Sequence, residues 1–517
     1  MHCSSVRKAK KAMNKQLLLA VPLGLCCLTT SVIARDYFLT IGGGNSPAAN
    51  QASLERNVLF YQRVLKKQNQ HQLRHAVYFS DGLAAGEDLQ VRDVHSVPKA
   101  NRLMAEFFGT DRDLGLYYRN HEVPGVRDST NPANIRRWFS DVGQTMQHGD
   151  RLILYVTGHG KRSADRSKPY DTIISLWDNQ KISVTEVVEL LDELPEGVRI
   201  VAVMVQCYTG GFARFIYNDG DPDKGLSQQQ RCGFFATLHD RVAAGCTPEI
   251  DEATYVEYST YFWEALGGYT RMGEPIVSPD YDGDGSVSFD EAHAYTVLKA
   301  DTIDLPIKTS GEFLDVESTF ADDEHPELLP ENAPYDVVLE LSTSAERAIL
   351  ESLSQELDLQ GSKRIETARR EGASRRGSRR RSRGRSSNRP GGQLRQEIAG
   401  DLKRRWPELS NVLNPGAVEF LNARSQTFIE AVEQHPSYQR YRDQVDNAAE
   451  RPDPKKRQVK HQRFVRTAEN VILRENLKRL GDEKRRAQYQ AIVLAESTSL
   501  RTFKPGPTKA TTARSTP

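Results

Sequence analysis

Two short apolar runs, residues 151–156 (RLILYV) and 199–205 (RIVAVMV), constrain the fold more than any other part of the chain. Each is too short for a stable helix, rich in β-branched residues and apolar at consecutive positions. That is the pattern of an interior strand covered on both faces in a parallel sheet. The first run ends in Thr157-Gly158-His159-Gly160 and the second in Gln206-Cys207-Tyr208-Thr209-Gly210-Gly211. Ligands of open parallel sheets bind outside the carboxyl ends of the strands, so an imidazole and a thiol delivered there can face one substrate.

The residue types suit acyl transfer. A thiolate is the working nucleophile, and a nearby imidazole manages its proton and that of the leaving amine. Gly160 lets its backbone N–H approach a reacting carbonyl, and with the N–H of Cys207 it forms a candidate oxyanion site. Gly210 and Gly211 permit a sharp turn into a helix expected over residues 212–217. This pair of motifs resembles the caspase-like cysteine peptidases, the group of caspases, legumains and gingipains, in which a His-Gly motif precedes a strand-ending Cys. The separation of 48 residues agrees with the spacing of about 50 known for caspases. Gln206 directly precedes Cys207, whereas caspases carry Gln-Ala-Cys, and the trailing Tyr-Thr-Gly-Gly is closer to bacterial, legumain-like members. A caspase preference for Asp is therefore not carried over. The resemblance implies a cysteine endopeptidase acting on protein or peptide substrates, with Cys207 as nucleophile and His159 as general acid/base. The alternatives are a catalytically inactive caspase-like calcium-binding protein, or an envelope interaction protein working through its basic helical tail.

The surrounding pattern fits an α/β domain with a doubly wound, mostly parallel sheet. Strands are expected at 37–41, 76–79 and 233–237, a hairpin around 173–181, and helices at 53–65 and 184–194. The peptidase domain is expected over residues 35–345.

Within it, residues 280–291 (DYDGDGSVSFDE) match an EF-hand calcium loop position by position. Asp280, Asp282 and Asp284 fill positions 1, 3 and 5, Gly285 position 6 and Glu291 position 12, with Ser286 and Ser288 at 7 and 9. Three aspartates in five residues would otherwise repel, and a hard cation with six to eight oxygen ligands relieves that repulsion, so one bound Ca2+ is expected. Pro275 and Pro279 disfavour an incoming helix, whereas residues 289–299 read well as the outgoing one. A single loop of this kind resembles dockerin-like or bacterial calcium sites.

The net charge of +1 excludes a global preference for polyanions. Residues 1–34 read as an export signal, with Met13 a candidate true start, Lys15 before an apolar run at 17–28, and small residues before a cut at Arg35. Leu25 ahead of Cys26 argues against a lipoprotein. The protein is expected to be periplasmic or secreted. Of six cysteines, three lie outside that segment. Cys207 is needed as a thiol, so Cys232 and Cys246 are left as either a disulfide, worth about 3 kcal/mol in a loop of this length, or two buried thiols.

After residue 345 the character changes. Residues 346–368 read as a helical connector, and 369–393 as a disordered linker of Arg, Ser and Gly that cannot bury apolar area. Clustered arginine there suits an anionic surface, while the lack of interleaved aromatics argues against nucleic acid. Residues 394–498 are expected to be a helical accessory region, with helices at 417–432 and 465–494. The apolar stripe Val471, Ile472, Leu477 and Leu480 suits core packing, a helix-mediated oligomer or a partner. Residues 499–517 are expected to be a disordered tail.

Overall fold

The computed structural model describes residues 34–68, 74–109, 112–320, 325–373, 390–411 and 414–500. The expected export signal (1–34) up to residue 33, most of the Arg-rich linker and nearly all of the tail lie outside the described residues. Among those that are described, no helix is long and apolar enough to cross a membrane.

The apolar runs form strands: β1 (Asp36–Gly43), β2 (Arg74–Phe79), β3 (Leu89–Arg92), β4 (Leu116–Arg119), β5 (Val126–Asp128) and β6 (Arg151–Lys161). They continue with β7 (Ile173–Ser175), β8 (Lys181–Ser183), β9 (Arg199–Met204), β10 (Arg231–Phe235) and β11 (Ile307–Lys308). The main sheet runs β11-β10-β9-β6-β1-β2-β5, and β7 and β8 extend the end of β6 as the expected hairpin. Every pairing on the main path is parallel except that of β11. β3 and β4 form a separate antiparallel pair.

The strand period of two sorts the apolar side chains onto opposite faces. Leu152, Leu154 and Val156 join Ile200, Ala202 and Met204 on one face. Ile153, Tyr155, Val201 and Val203 point to the other. Both faces are covered by helices, which explains why these strands are apolar at every position. The first face packs against α3 (Pro132–Asp141), α4 (Val184–Asp192) and α7 (Thr309–Glu317). The second packs against α1 (Ala52–Lys67), α5 (Tyr258–Gly267) and α6 (Phe289–Lys299). A further helix, α2 (Lys99–Phe108), follows β3. The chain is thus α/β, as expected, with a mostly parallel sheet and a helical C-terminal region.

That region comprises α8 (Tyr335–Leu341), α9 (Ser344–Glu356), α10 (Arg364–Gly372), α11 (Gly392–Arg405), α12 (Pro415–Glu433), α13 (Tyr438–Ala449), α14 (Pro454–Leu480) and α15 (Glu483–Glu496). Three expectations change here. The helix expected over 465–494 is two helices, because α14 ends at Gly481 and Asp482 caps α15. Both ends of the expected linker are helical, in α10 and α11. The first two residues of the expected tail are also fixed, since Ser499 bridges to Ser288 and Leu500 is buried.

The larger correction concerns the accessory role. The stripe on α14 is neither an oligomer face nor a partner arm, because Val471 and Ile472 pack against α6, α8, α9 and α10 and Leu477 against the sheet core. The last residues close the same domain. Arg151 on β6 donates to Thr498 Oγ1 (3.1 Å) and the Ser499 carbonyl (2.9 Å). Buried Glu496 accepts from the hydroxyls of Thr309 (2.8 Å) and Ser310 (2.7 Å). Only α11, α12 and α13 form a separate module, packed on α2.

The disulfide between Cys232 and Cys246 is not formed: Cys207, Cys232 and Cys246 are free thiols. Cys232 lies level with Val201, which pairs with Ile153 on β6. Cys246 Sγ lies 3.9 Å from the Gly158 carbonyl, five residues further along β6. At 3.3 Å per residue that is about 16 Å along the strand, beyond the reach of an S–S bond.

Candidate active site

β6 and β9 are neighbours and parallel, in register from Arg151 opposite Arg199 to Val156 opposite Met204. The two glycine-flanked motifs therefore leave the sheet at the same rim. They also touch, because a Cβ on Gly160 would fall 1.9 Å from the Cys207 carbonyl oxygen. Only glycine lets the His159 segment lie this close to the Cys207 segment. His159 and Cys207 are both partly exposed there.

His159 Nε2 lies 2.8 Å from the Ala49 carbonyl. A carbonyl only accepts, so Nε2 carries the proton and Nδ1 keeps its lone pair in the neutral ring. Ala49 ends a 3-10 turn, Pro47–Ala49, that follows the glycines of β1. A Cβ on Gly44 would fall 2.2 Å from the Ala49 carbonyl oxygen, so this glycine keeps open the space beside the group that orients the imidazole.

Burial pushes the Cys207 thiol up, and the Asp304 carboxylate adds to the rise. The N–H of Ala243, 3.4 Å from Sγ, and the residue's own amide work in the opposite sense. The next N–H in that loop, of Ala244, donates to Asp304 Oδ1 (2.6 Å). Asp304 is fully buried, and its Oδ2 has no hydrogen-bond partner among the described residues. Its main chain is held by Arg463 of α14, itself 2% exposed. The guanidinium donates to the carbonyls of Asp304 (2.9 Å), Val297 (3.0 Å), Ala300 (2.6 Å) and Thr302 (3.4 Å), and to Thr302 Oγ1 (3.0 Å). The C-terminal helix is thereby linked to the loop that supports the sulfur. Behind Cys207 the sharp turn is taken by Tyr208, with φ 61°, rather than by Gly210 or Gly211, and the expected helix at 212–217 is a 3-10 helix, Thr209–Ile216.

Residues 90–215, which contain both His159 and Cys207, match the model of the metacaspase, peptidase C14 domain. This stretch is similar to the peptidase domain of the caspase-like cysteine peptidases. Metacaspase-4 of Arabidopsis thaliana is 31% identical over 90 residues, 16% of this chain and 22% of that protein. Metacaspase-7 of the same plant is 28% identical over 134 residues, 24% of this chain and 32% of that protein. The chain thus spans between a fifth and a third of the length of the curated relatives it matches. A solved structure from Geobacter sulfurreducens overlaps 41% of this chain and 77% of that one at 12% identity, with a TM-score of 0.25, too slight an overlap to argue from.

The same rim carries a second polar cluster that the sequence did not reveal, formed by Asp81, Asp88 and His121. Both ring nitrogens of His121 are engaged, Nε2 with the Gly82 carbonyl (2.8 Å) and Nδ1 with the Val123 N–H (3.3 Å). Asp88 accepts from Asn50 Nδ2 (3.0 Å) and the His121 N–H (2.9 Å). Burial and the neighbouring Asp81 carboxylate push Asp88 up to about 6 from its ordinary 3.8. A carboxyl whose folded pKa is raised stabilises the fold below its unfolded pKa and loses that contribution as pH rises through the folded value. The window is therefore about pH 4 to 6. The melting temperature of Asp88→Asn relative to wild type is expected to climb across that window and then level off, as read in a pH series of thermal melts. A difference that stays flat with pH would contradict the assignment.

The loop after α5 has the expected acidic geometry. The carboxylates of Asp280, Asp282 and Asp284 lie with ligand atoms within 4.8 Å of one another. Gly283 and Gly285 take φ of 76° and 87°, and the Gly285 N–H donates to Asp280 Oδ2 (2.9 Å). Glu291 folds back into the loop, where Oε1 accepts the N–H of Tyr281 (2.6 Å) and of Asp282 (3.2 Å). Ser288 and Glu291 form a capping box at the start of α6. The Ser288 hydroxyl is therefore committed to the helix cap, while Ser286 closes the tight part of the loop with its N–H on Asp284 Oδ1 (2.8 Å).

Proposed function

We propose that the chain is a cysteine endopeptidase in which Cys207 and His159 act as a pair. The observation that carries this reading is the juxtaposition of the two glycine-flanked strand ends at one rim, with the imidazole oriented by the Ala49 carbonyl. The raised thiol enters the reaction protonated. As Sγ attacks the scissile carbonyl carbon, the thiol proton passes to His159 Nδ1 and the carbonyl π electrons move onto oxygen. The N–H groups of Gly160 and Cys207 stabilise that oxyanion. Collapse of the intermediate breaks the C–N bond, and His159 returns the proton to the leaving amine. Water, deprotonated by the same imidazole, then hydrolyses the thioester and restores the thiol.

The test is a series of fluorogenic peptides differing in the residue before the cut, with Cys207 labelled by iodoacetamide as the control. Turnover that disappears as the Cys207 label accumulates supports the reading. Turnover that survives full labelling, or no hydrolysis of any peptide by protein with an accessible Cys207, overturns it.

The loop at 280–291 is proposed to hold one Ca2+ through Asp280, Asp282, Asp284, the Ser286 carbonyl and Glu291. The donor set is all oxygen and already folded around a common centre, and a cation there would neutralise three converging carboxylates. The ion's place is structural, at the start of α6 and beside the strand-end contact of Ser499. Chelation by EDTA is expected to lower the melting temperature by several degrees, with recovery on adding excess Ca2+. Equal melting curves with and without chelator would exclude the site. Residues 1–34 are proposed to be an export signal that sends the protein to a periplasmic or secreted location, testable by N-terminal sequencing of the mature protein, which is expected to begin at Arg35.

A further inference from the structure

Lined by none of the residues of the two strand ends, a cleft of about 570 Å3 opens between α2 and the helices α11 and α13. Five cationic side chains line it: Arg92, Lys99, Arg102, Arg395 and Arg442. The lining holds one carboxylate, Glu106. Two of these charges have no carboxylate partner among the described residues. Arg102 makes no ion pair and its buried Nε lacks a hydrogen-bond partner. Arg395 spends its donors on neutral groups, the carbonyls of Glu106 and Gly109 (3.3 Å to the latter), so its charge stays unbalanced. The other three are paired: Arg92 with Glu249 (3.1 Å), Lys99 with Glu433 (2.5 Å), and Arg442 with Asp446 (3.3 Å) and with the cleft's own Glu106 (3.6 Å). Exposed pairs of this kind contribute little and can turn toward a more highly charged partner. Tyr441 forms part of the wall, its hydroxyl donating to Glu106 Oε1 (2.8 Å). The wall also includes the start of α11, whose first turn has no side-chain cap and no acidic residue, so its positive end adds to the same field.

We propose that this cleft binds a compact, multiply charged phosphate ligand that ties the α11–α13 module to the caspase-like domain. The volume lies in the range of small-ligand sites and exceeds what a single tetrahedral anion needs. Guanidinium forks match phosphate oxygens two at a time, which favours phosphate over a scattered set of carboxylates. None of the lining residues belongs to the Cys207 or His159 segments, so the inference is independent of the peptidase reading.

The experiment is isothermal titration of the full chain with inorganic tripolyphosphate at low and at moderate salt, with citrate as a carboxylate control. One saturable site per chain is expected, weakened by salt, with citrate at least about tenfold weaker. Arg102→Glu is expected to weaken tripolyphosphate at least about tenfold while leaving the ligand-free melting temperature unchanged. Arg102→Gln serves if charge reversal lowers that temperature, and Arg136→Glu on α3 is expected to change neither quantity. Equal binding by the Arg102 variants overturns the proposal, since the anion would then sit on other arginines, such as those between residues 375 and 389. Citrate binding as tightly as tripolyphosphate, or no binding at low salt, also overturns it.

Discussion

Cys207→Ala is expected to lower kcat on a cleavable peptide by at least about 10³-fold, or about 4 kcal/mol of transition-state stabilisation. Cys246→Ala is expected to stay within about threefold of wild type. The comparison matters because Cys246 is a second partly exposed thiol at the same rim, 3.9 Å from the Gly158 carbonyl. Two differences favour Cys207. It ends the strand that lies beside the His159 strand. Its sulfur also receives the Ala243 N–H, a contact that stabilises the thiolate. Cys246 faces a carbonyl oxygen, which offers a thiolate nothing, and burial pushes its pKa far above the ordinary thiol value. A larger loss from Cys246→Ala than from Cys207→Ala would reverse the assignment. KM should be little altered in either variant, because neither sulfur supplies ground-state binding that persists through the reaction.

Truncation after Leu359 is expected to leave no cooperatively folded protein. An accessory tail would be dispensable, but the tail of this chain is not accessory. The cut removes the Arg463 guanidinium from four carbonyls, leaves Lys308 without its Glu496 partner (3.2 Å) and strips Phe464, Ala468 and Val471 from a shared core. Buried polar groups left unpaired cost about 1–3 kcal/mol each, so even a few exceed the stability of a typical domain when lost apolar burial is added. Arg463→Met isolates the polar part. It keeps most of the volume and should destabilise by about 3–5 kcal/mol, the cost of leaving buried partners uncompensated, as measured by denaturant unfolding. A truncated chain that melts and cleaves like the intact one would show that the packing of α14 and α15 on the sheet is incidental.

Much of the domain was legible because its physics is local. The runs at 151–156 and 199–205 could only be interior strands, and the glycines beside His159 and Cys207 marked the strand ends where chemistry sits. The loop at 280–291 was equally legible, since spacing alone sets its geometry. What escaped depends on contacts between distant segments. Cys232 and Cys246 look pairable at 14 positions apart, and only the sheet register puts one mid-strand and the other at the rim. Arg463 is one of many basic residues on a charged helix, and nothing local distinguishes it from neighbours that face solvent. The stripe on α14 was read correctly as apolar, but the face it meets belongs to residues more than a hundred positions earlier. Asp81 and Asp88 likewise meet His121 from a different loop, the first two between β2 and β3 and the third between β4 and β5.

The bond from Arg463 to the Asp304 segment has a consequence for biosynthesis. Proteins emerge amino end first, and elements fold as their partners appear. Here the loop that steadies the reactive sulfur gains its last support only after residue 463 has left the ribosome. A nascent chain therefore carries Cys207 and His159 long before they are properly braced. On the proposed peptidase reading, a half-made molecule of this kind would be poorly equipped to cut the machinery that is producing it.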